Sequence, residues 1–205
     1  MKTIKIRPYK SDDIKQASSI CSVLFDNYLF EDSTGKELTN FLIDAGIIPR
    51  FSTPGFFVAE ENGNIAGIVV LKWEKQKRQR VEINYFRIIR YYGFVNFIKL
   101  FIRNTWHIFF PQKSNIESKT CYCDYLAVDV KKRGKNIGSS LLKYCLDYSR
   151  QNGFKKFALY VPSCDRRLIN WYKEREFKIE KNIKNGLIKR FVTGTNAFTY
   201  MTIDL

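Results

Sequence analysis

The sequence predicts a single α/β domain, and three observations carry that prediction. Between Tyr122 and Asn152 a strand pattern breaks through a short basic loop into an amphipathic helix. From Ile65 to Leu71 the chain is apolar on both faces, as a strand in the middle of a sheet must be. Asn62-Gly63 joins that run to residues 56–60, and this pair suits the two-residue turn of a hairpin. With 205 residues and 45% hydrophobic content, the chain is long and apolar enough to fill one core.

In chain order, Ile4 and Ile6 alternate with Lys5 and Arg7, a half-exposed strand that Pro8 ends. Ser11-Asp12-Asp13 supplies an N-cap and an acidic first turn for a helix, whose stripe is Ile14, Ala17, Cys21, Leu24 and Phe25. A second helix runs from about Lys36 to Ala45, with Leu38, Phe41, Leu42 and Ala45 facing inward. The strands at 56–60 and 65–73 follow, the second central in the sheet. Residues 74–120 form a basic and aromatic stretch. Phe94, Phe97, Ile98 and Phe101 take one helical face, with Asn96, Lys99 and Arg103 opposite. Gly93 separates that helix from an earlier piece around 82–92. The stretch reads as an inserted helical subdomain over the open end of the sheet. Three roles stay open for it: a packed lid, a homodimer surface, or a basic amphipathic element for membrane or nucleic acid.

The next strand places Asp124, Leu126 and Val128 on one face and Tyr125 and Ala127 on the other. After the basic residues Lys131, Lys132, Arg133 and Lys135, a helix starts at about Ile137. Ile137, Leu141, Cys145 and Tyr148 make its stripe, and Gly153 stops it. A strand follows at 156–161, then a helix headed by Asp165. Short strands at 178–180, 187–192 and 199–203 close the chain, the first two joined through Lys184-Asn185-Gly186.

A strand that turns through a Gly- and Lys-rich loop into a helix aims free backbone N–H groups and the positive end of the helix dipole at one spot, which suits a phosphate. Neither G-x-G-x-x-G nor G-x-x-x-x-G-K-[ST] is present, which sets aside dinucleotide and P-loop folds. The stretch LAVDVKKRGKNIGSSLL instead resembles the Q/R-x-x-G-x-G/A signature of the GNAT superfamily of acetyl-CoA-dependent N-acetyltransferases, with its preceding strand. Asn136 stands where that family has Gly, and Asn is the non-Gly residue that best tolerates positive φ. Downstream, KFALYV and PSCDRRLINWYKEREFK are similar to the family's next strand and helix. There Asp165 replaces Asn, Trp171-Tyr172 replaces Leu-Tyr, and Glu176-Phe177 replaces Gly-Phe.

The resemblance implies a central mixed, mostly antiparallel sheet flanked by helices. It implies transfer of an acetyl group from acetyl-CoA, as cosubstrate, to a primary amine of a small molecule or peptide. By the same resemblance Arg133, Gly134, Lys135, Asn136, Ile137, Gly138 and Ser139 hold the pyrophosphate, and Leu126, Ala127 and Val128 pair with the pantetheine arm. Asp165 caps its helix and is a secondary contact to the cofactor. An N–H at or beside Val128 would stabilise the oxyanion. Tyr172 would protonate the departing thiolate, with packing on the inner helix face as its plainer role, and Asp124 or Glu82 would take the amine's proton.

The net charge of +15, from 35 basic and 20 acidic residues, favours anionic partners, and the phosphates of coenzyme A are one match. No recognised nucleic-acid motif accompanies it, so a nucleic-acid binder ranks below a non-catalytic acyl-CoA-binding module as the alternative function. No run approaches the length of a membrane span and no secretory leader opens the chain, which with five irregularly spaced cysteines points to the cytoplasm. Cys121-x-Cys123 reads as buried strand thiols rather than a metal site, with a single histidine, His107, in the chain.

Overall fold

The computed structural model describes residues 4–24, 35–74, 76, 83–109, 118–186 and 195–205. Seven strands among them form one sheet: β1 (Ile4–Pro8), β2 (Phe56–Glu61), β3 (Asn64–Lys72), β4 (Thr120–Val128), β5 (Lys156–Pro162), β6 (Lys178–Lys184) and β7 (Ala197–Asp204). The helices are α1 (Ile14–Ser22), α2 (Gly35–Asp44), α3 (Tyr85–Phe109), α4 (Ile137–Gln151) and α5 (Arg166–Lys173). The sheet order is β1-β2-β3-β4-β5-β7-β6. All neighbours are antiparallel except β4 and β5, which α4 connects as a parallel crossover. This is the mixed, mostly antiparallel α/β architecture that the sequence predicts.

Two apolar layers sandwich the sheet. On one face Phe57, Val69, Leu71, Cys121 and Phe157 meet Leu141, Cys145, Ile169 and Tyr172 of α4 and α5. On the other, Phe56, Val58, Ile68 and Ala127 meet Ala17, Cys21, Leu38 and Phe41 of α1 and α2. β3 is third of seven and buried on both faces, as its composition requires. Asn62 (φ 52°) and Gly63 (φ 75°) both lie in the left-handed region, so the β2–β3 connection is the hairpin turn expected of this pair. At Gly67 a Cβ would sit 2.9 Å from Leu141 Cδ1 and 3.1 Å from the Ala127 carbonyl, so glycine lets α4 cross close over β3.

Several expectations are corrected. The chain enters α1 through a 3-10 turn, Ser11–Asp13, and the first cap is Lys10, whose N–H donates to Asp13 Oδ2 at 2.9 Å. Asp13 is buried because it also pairs with Arg7, whose guanidinium bridges to Glu60 on β2. The face pattern read for β4 fails at Asp124. Val70 pairs with Tyr125 but Leu71 with Cys123, leaving Asp124 as an extra residue in a β-bulge. The bulge puts Cys121 and Cys123 on the same face as Leu126 and Val128, which strict alternation forbids. At the end of the chain β6 extends to Lys184 and pairs with β7, Asn185 N–H donating to the Asn196 carbonyl at 2.8 Å. The strand expected at 187–192, like Phe25 and Glu82, lies outside the described residues.

Within the inserted stretch Tyr85–Phe109 is helical, with a break at Gly93 (φ 79°, ψ 162°). The first half of that helix packs on α2. Ile88 is fully buried, Tyr92 meets Phe41 edge-on at 5.1 Å, and Asn84 N–H donates to the Asp44 carbonyl at 2.8 Å.

Candidate active site

The site is built around an opening in the sheet. β4 and β5 pair from Thr120 and Lys156 to Cys123 and Leu159, and there the ladder stops. Both strands continue, β4 to Val128 and β5 to Pro162, so they part. On that side Leu126, Ala127 and Val128 face no strand among the described residues, which leaves backbone donors and acceptors along the edge, while the Tyr125 carbonyl accepts from the Cys123 thiol at 3.7 Å. Leu126, Ala127 and Val128 all lie on this free edge.

At the end of β4, Asp129 Oδ1 accepts the Lys131 amide at 3.0 Å and shapes a short 3-10 turn. Gly134 (φ 78°) and Asn136 (φ 59°, ψ 12°) take left-handed conformations that swing the chain into α4. The first helical bond of α4 runs from Ser140 N–H to the Asn136 carbonyl at 2.9 Å. The amides of Ile137, Gly138 and Ser139 therefore point out of the helix start, where the macrodipole is positive. A Cβ on Gly138 would meet only Val128 Cγ2, at an ordinary 3.6 Å, so protein packing does not demand glycine there. Arg133 and Lys135 are exposed beside this turn. Lys132 is not available to a ligand in the same way, because its ammonium lies 3.3 Å from Glu61 Oε2.

Tyr172 comes to the α4 face of the sheet near the parting strands. Asp165 caps α5 by accepting the Leu168 amide at 2.9 Å, which sets the rotation that turns Tyr172 inward. The ring is 5% exposed, with Phe177 5.2 Å and Trp171 4.9 Å away. Burial, reinforced by the neighbouring thiols Cys123 and Cys145, holds the phenol protonated well above its ordinary range. On the opposite face Asp124 forms an ion pair with Lys72 of β3. The rings of Tyr122, Tyr160 and Tyr200 continue that face, 5.6 and 4.8 Å between successive centroids. Burial and the Asp124 carboxylate both push the Tyr122 phenol up.

Comparison with known proteins gives a consistent result. The family model described as "Acetyltransferase (GNAT) family" matches residues 20–177. The chain belongs to the GNAT acetyltransferase family. Solved structures of the same fold include Ard1 from Thermoplasma volcanium (TM-score 0.58, 16% identity, covering 98% of this chain and 97% of that one). The ribosomal-protein-S18-alanine N-acetyltransferase from Escherichia coli has a TM-score of 0.55 at 12% identity over 98% and 94%. The ribosomal-protein-alanine N-acetyltransferase from Brucella melitensis has 0.59 at 15% over 98% and 99%. A search of curated proteins finds no match. The protein is thus an N-acetyltransferase of GNAT type, an acyltransferase enzyme.

Within this GNAT domain some residues beside the candidate site escape a reading of the sequence. Arg175 stacks on Trp171 at 3.8 Å, donates to the Trp171 carbonyl at 2.8 Å and reaches Ser139 Oγ at 3.3 Å. It ties the end of α5 to the start of α4 and lines a groove of about 250 Å³ with Leu142, Lys143, Leu146, Asp147 and Arg150. Its partners lie up to 36 positions away, so no local pattern announces it. Tyr122 and Tyr160 likewise meet only because β4 and β5 are neighbours.

Proposed function

We propose that this GNAT enzyme binds acetyl-CoA in the opening between β4 and β5 and transfers its acetyl group to a primary amine. The observation that carries the reading is the early end of the β4–β5 ladder beside the free amides of α4. The cosubstrate brings a thioester, an acyl group already activated for attack. The amides of Ile137, Gly138 and Ser139, with Arg133 and Lys135 at the rim and Gly134 and Asn136 setting the turn, hold the pyrophosphate. The edge of residues 126–128 holds the pantetheine arm as an added strand, and an N–H at or beside Val128 donates to the carbonyl oxygen as charge develops on it.

The acceptor approaches from the face of Asp124, Tyr122 and Tyr160. An amine is a nucleophile only when neutral, and Asp124, ion-paired with Lys72, takes its proton, directly or through water. From the other face Tyr172 donates to the departing sulfur. Its raised pKa keeps the phenol protonated across the physiological range, so it stabilises the negative charge that develops on the sulfur as a hydrogen-bond donor. The acceptor is a small molecule or a peptide amine. The five free cysteines, four of them buried, fit a reducing compartment such as the cytoplasm.

The test is thiol release from acetyl-CoA against a panel of amines. Tyr172→Phe should lower kcat by about 10²-fold with little change in KM, because it removes a donor that acts late in the reaction. Coenzyme A binding without turnover by the unmodified protein, on every amine tried, would instead mark a binding module.

A further inference from the structure

The 85–95 segment of α3 is at odds with a simple packing role. Phe86, Tyr91, Phe94 and Val95 are 70%, 64%, 63% and 61% exposed, and Tyr85 and Ile89 are also open to solvent. They flank the break at Gly93 on the helix that Ile88 and Tyr92 seat on α2, and Phe94 stacks on the half-buried Phe97 at 6.0 Å. Large exposed apolar side chains gathered on one short segment in this way mark an interaction surface. Arg90 stands within it, 6.0 Å from the Phe86 ring and 5.6 Å from Tyr91, whereas Arg87, 5.9 Å from Tyr91, also pairs with Asp44 Oδ2 at 3.5 Å.

We propose that the 85–95 surface of α3 docks on an anionic lipid membrane, its aromatic side chains at the boundary of headgroups and acyl chains and Arg90 among the headgroup phosphates. Three considerations select this occupant. Aromatic rings interleaved with arginine match the interfacial layer, where each ring has an apolar body to bury and each guanidinium an anion to meet. A second copy of the chain would bring like-charged patches of two +15 molecules together, whereas anionic lipid complements the charge. Nucleic acid fits poorly, since Ile89 and Val95 have no π-face for base stacking. No helix among the described residues is long and apolar enough to cross a membrane, so the contact is peripheral.

The test is co-sedimentation of the full chain with vesicles of phosphatidylcholine alone and of phosphatidylcholine with phosphatidylglycerol at about 3:1. Binding to the mixed vesicles only, falling as salt is raised, is expected. Joint Phe86→Ser and Phe94→Ser substitution should weaken it at least about tenfold, and Arg90→Glu should weaken it separately. Unchanged circular dichroism and coenzyme A binding would show that both variants are folded. Equal binding by the double variant would overturn the proposal, since charge alone would then explain the association. So would equal binding to neutral vesicles, or no binding at all. A dimer by light scattering that the same substitutions dissolve, or tight binding of single-stranded RNA at the patch in place of vesicles, would assign the surface to another occupant and also overturn it.

Discussion

At the scale of residues, the backbone of two positions explains why the family motif asks for glycine. Asn136 (φ 59°) and Glu176 (φ 67°) occupy the left-handed region at the start of α4 and the end of α5, where the GNAT pattern has Gly. A side chain there costs about 1–2 kcal/mol, less for Asn because its short amide tolerates the region. Glu176→Gly should therefore raise stability by about 0.5–1 kcal/mol in denaturant unfolding, Asn136→Gly by less, and Asn136→Ala should lower it. Gly138 behaves differently. Its Cβ has room inside the protein and Ala is a better helix former, so Gly138→Ala should leave stability unchanged or slightly raised while weakening coenzyme A in a calorimetric titration. Equal affinity would mean that no ligand comes close to that position.

At the scale of elements, Arg7 and Asp13 clamp β1, β2 and the turn into α1. Burial alone would raise the Asp13 carboxyl, but the Arg7 guanidinium and the Lys10 amide outweigh it and hold the pKa below the ordinary range. A depressed folded pKa means that the stabilisation is complete above about pH 4, the unfolded value, and is lost as pH falls through the folded one. Asp13→Asn should cost about 2 kcal/mol at neutral pH, partial exposure discounted, and should flatten the loss of melting temperature below about pH 4. An acid limb identical in both proteins would show that the clamp contributes nothing. The helices and hairpin were legible because their signals are local: the 3.6-residue stripes of α2 and α4, and Asn62-Gly63 at its turn. The facing of β4 was not, because a bulge at Asp124 inserts one residue into a pairing that only β3 reveals. β6 extends beyond its sequence pattern for a related reason. Six of its seven residues are charged or amide or sit exposed, so no apolar alternation marks it, and β7 supplies its register.

At the scale of the whole molecule, the part of the candidate site that reads from sequence is the part made by one continuous stretch, the β4 end, its loop and the α4 start. What only the fold assembles is the rest. Arg175 against Ser139, Tyr160 against Tyr122, and Asp124 against Lys72 are each joined by sheet order and helix crossing rather than by spacing in the chain. The central claim is that a polyphosphate thioester lies across that assembly, along the free edge of β4 and onto the amides of α4. Amide hydrogen exchange with and without coenzyme A tests it most directly. Slowed exchange at residues 124–128 and 137–139, with β6 and the outer part of β7 unchanged, is the predicted result; binding that leaves those amides as they were, and protects others instead, would contradict it.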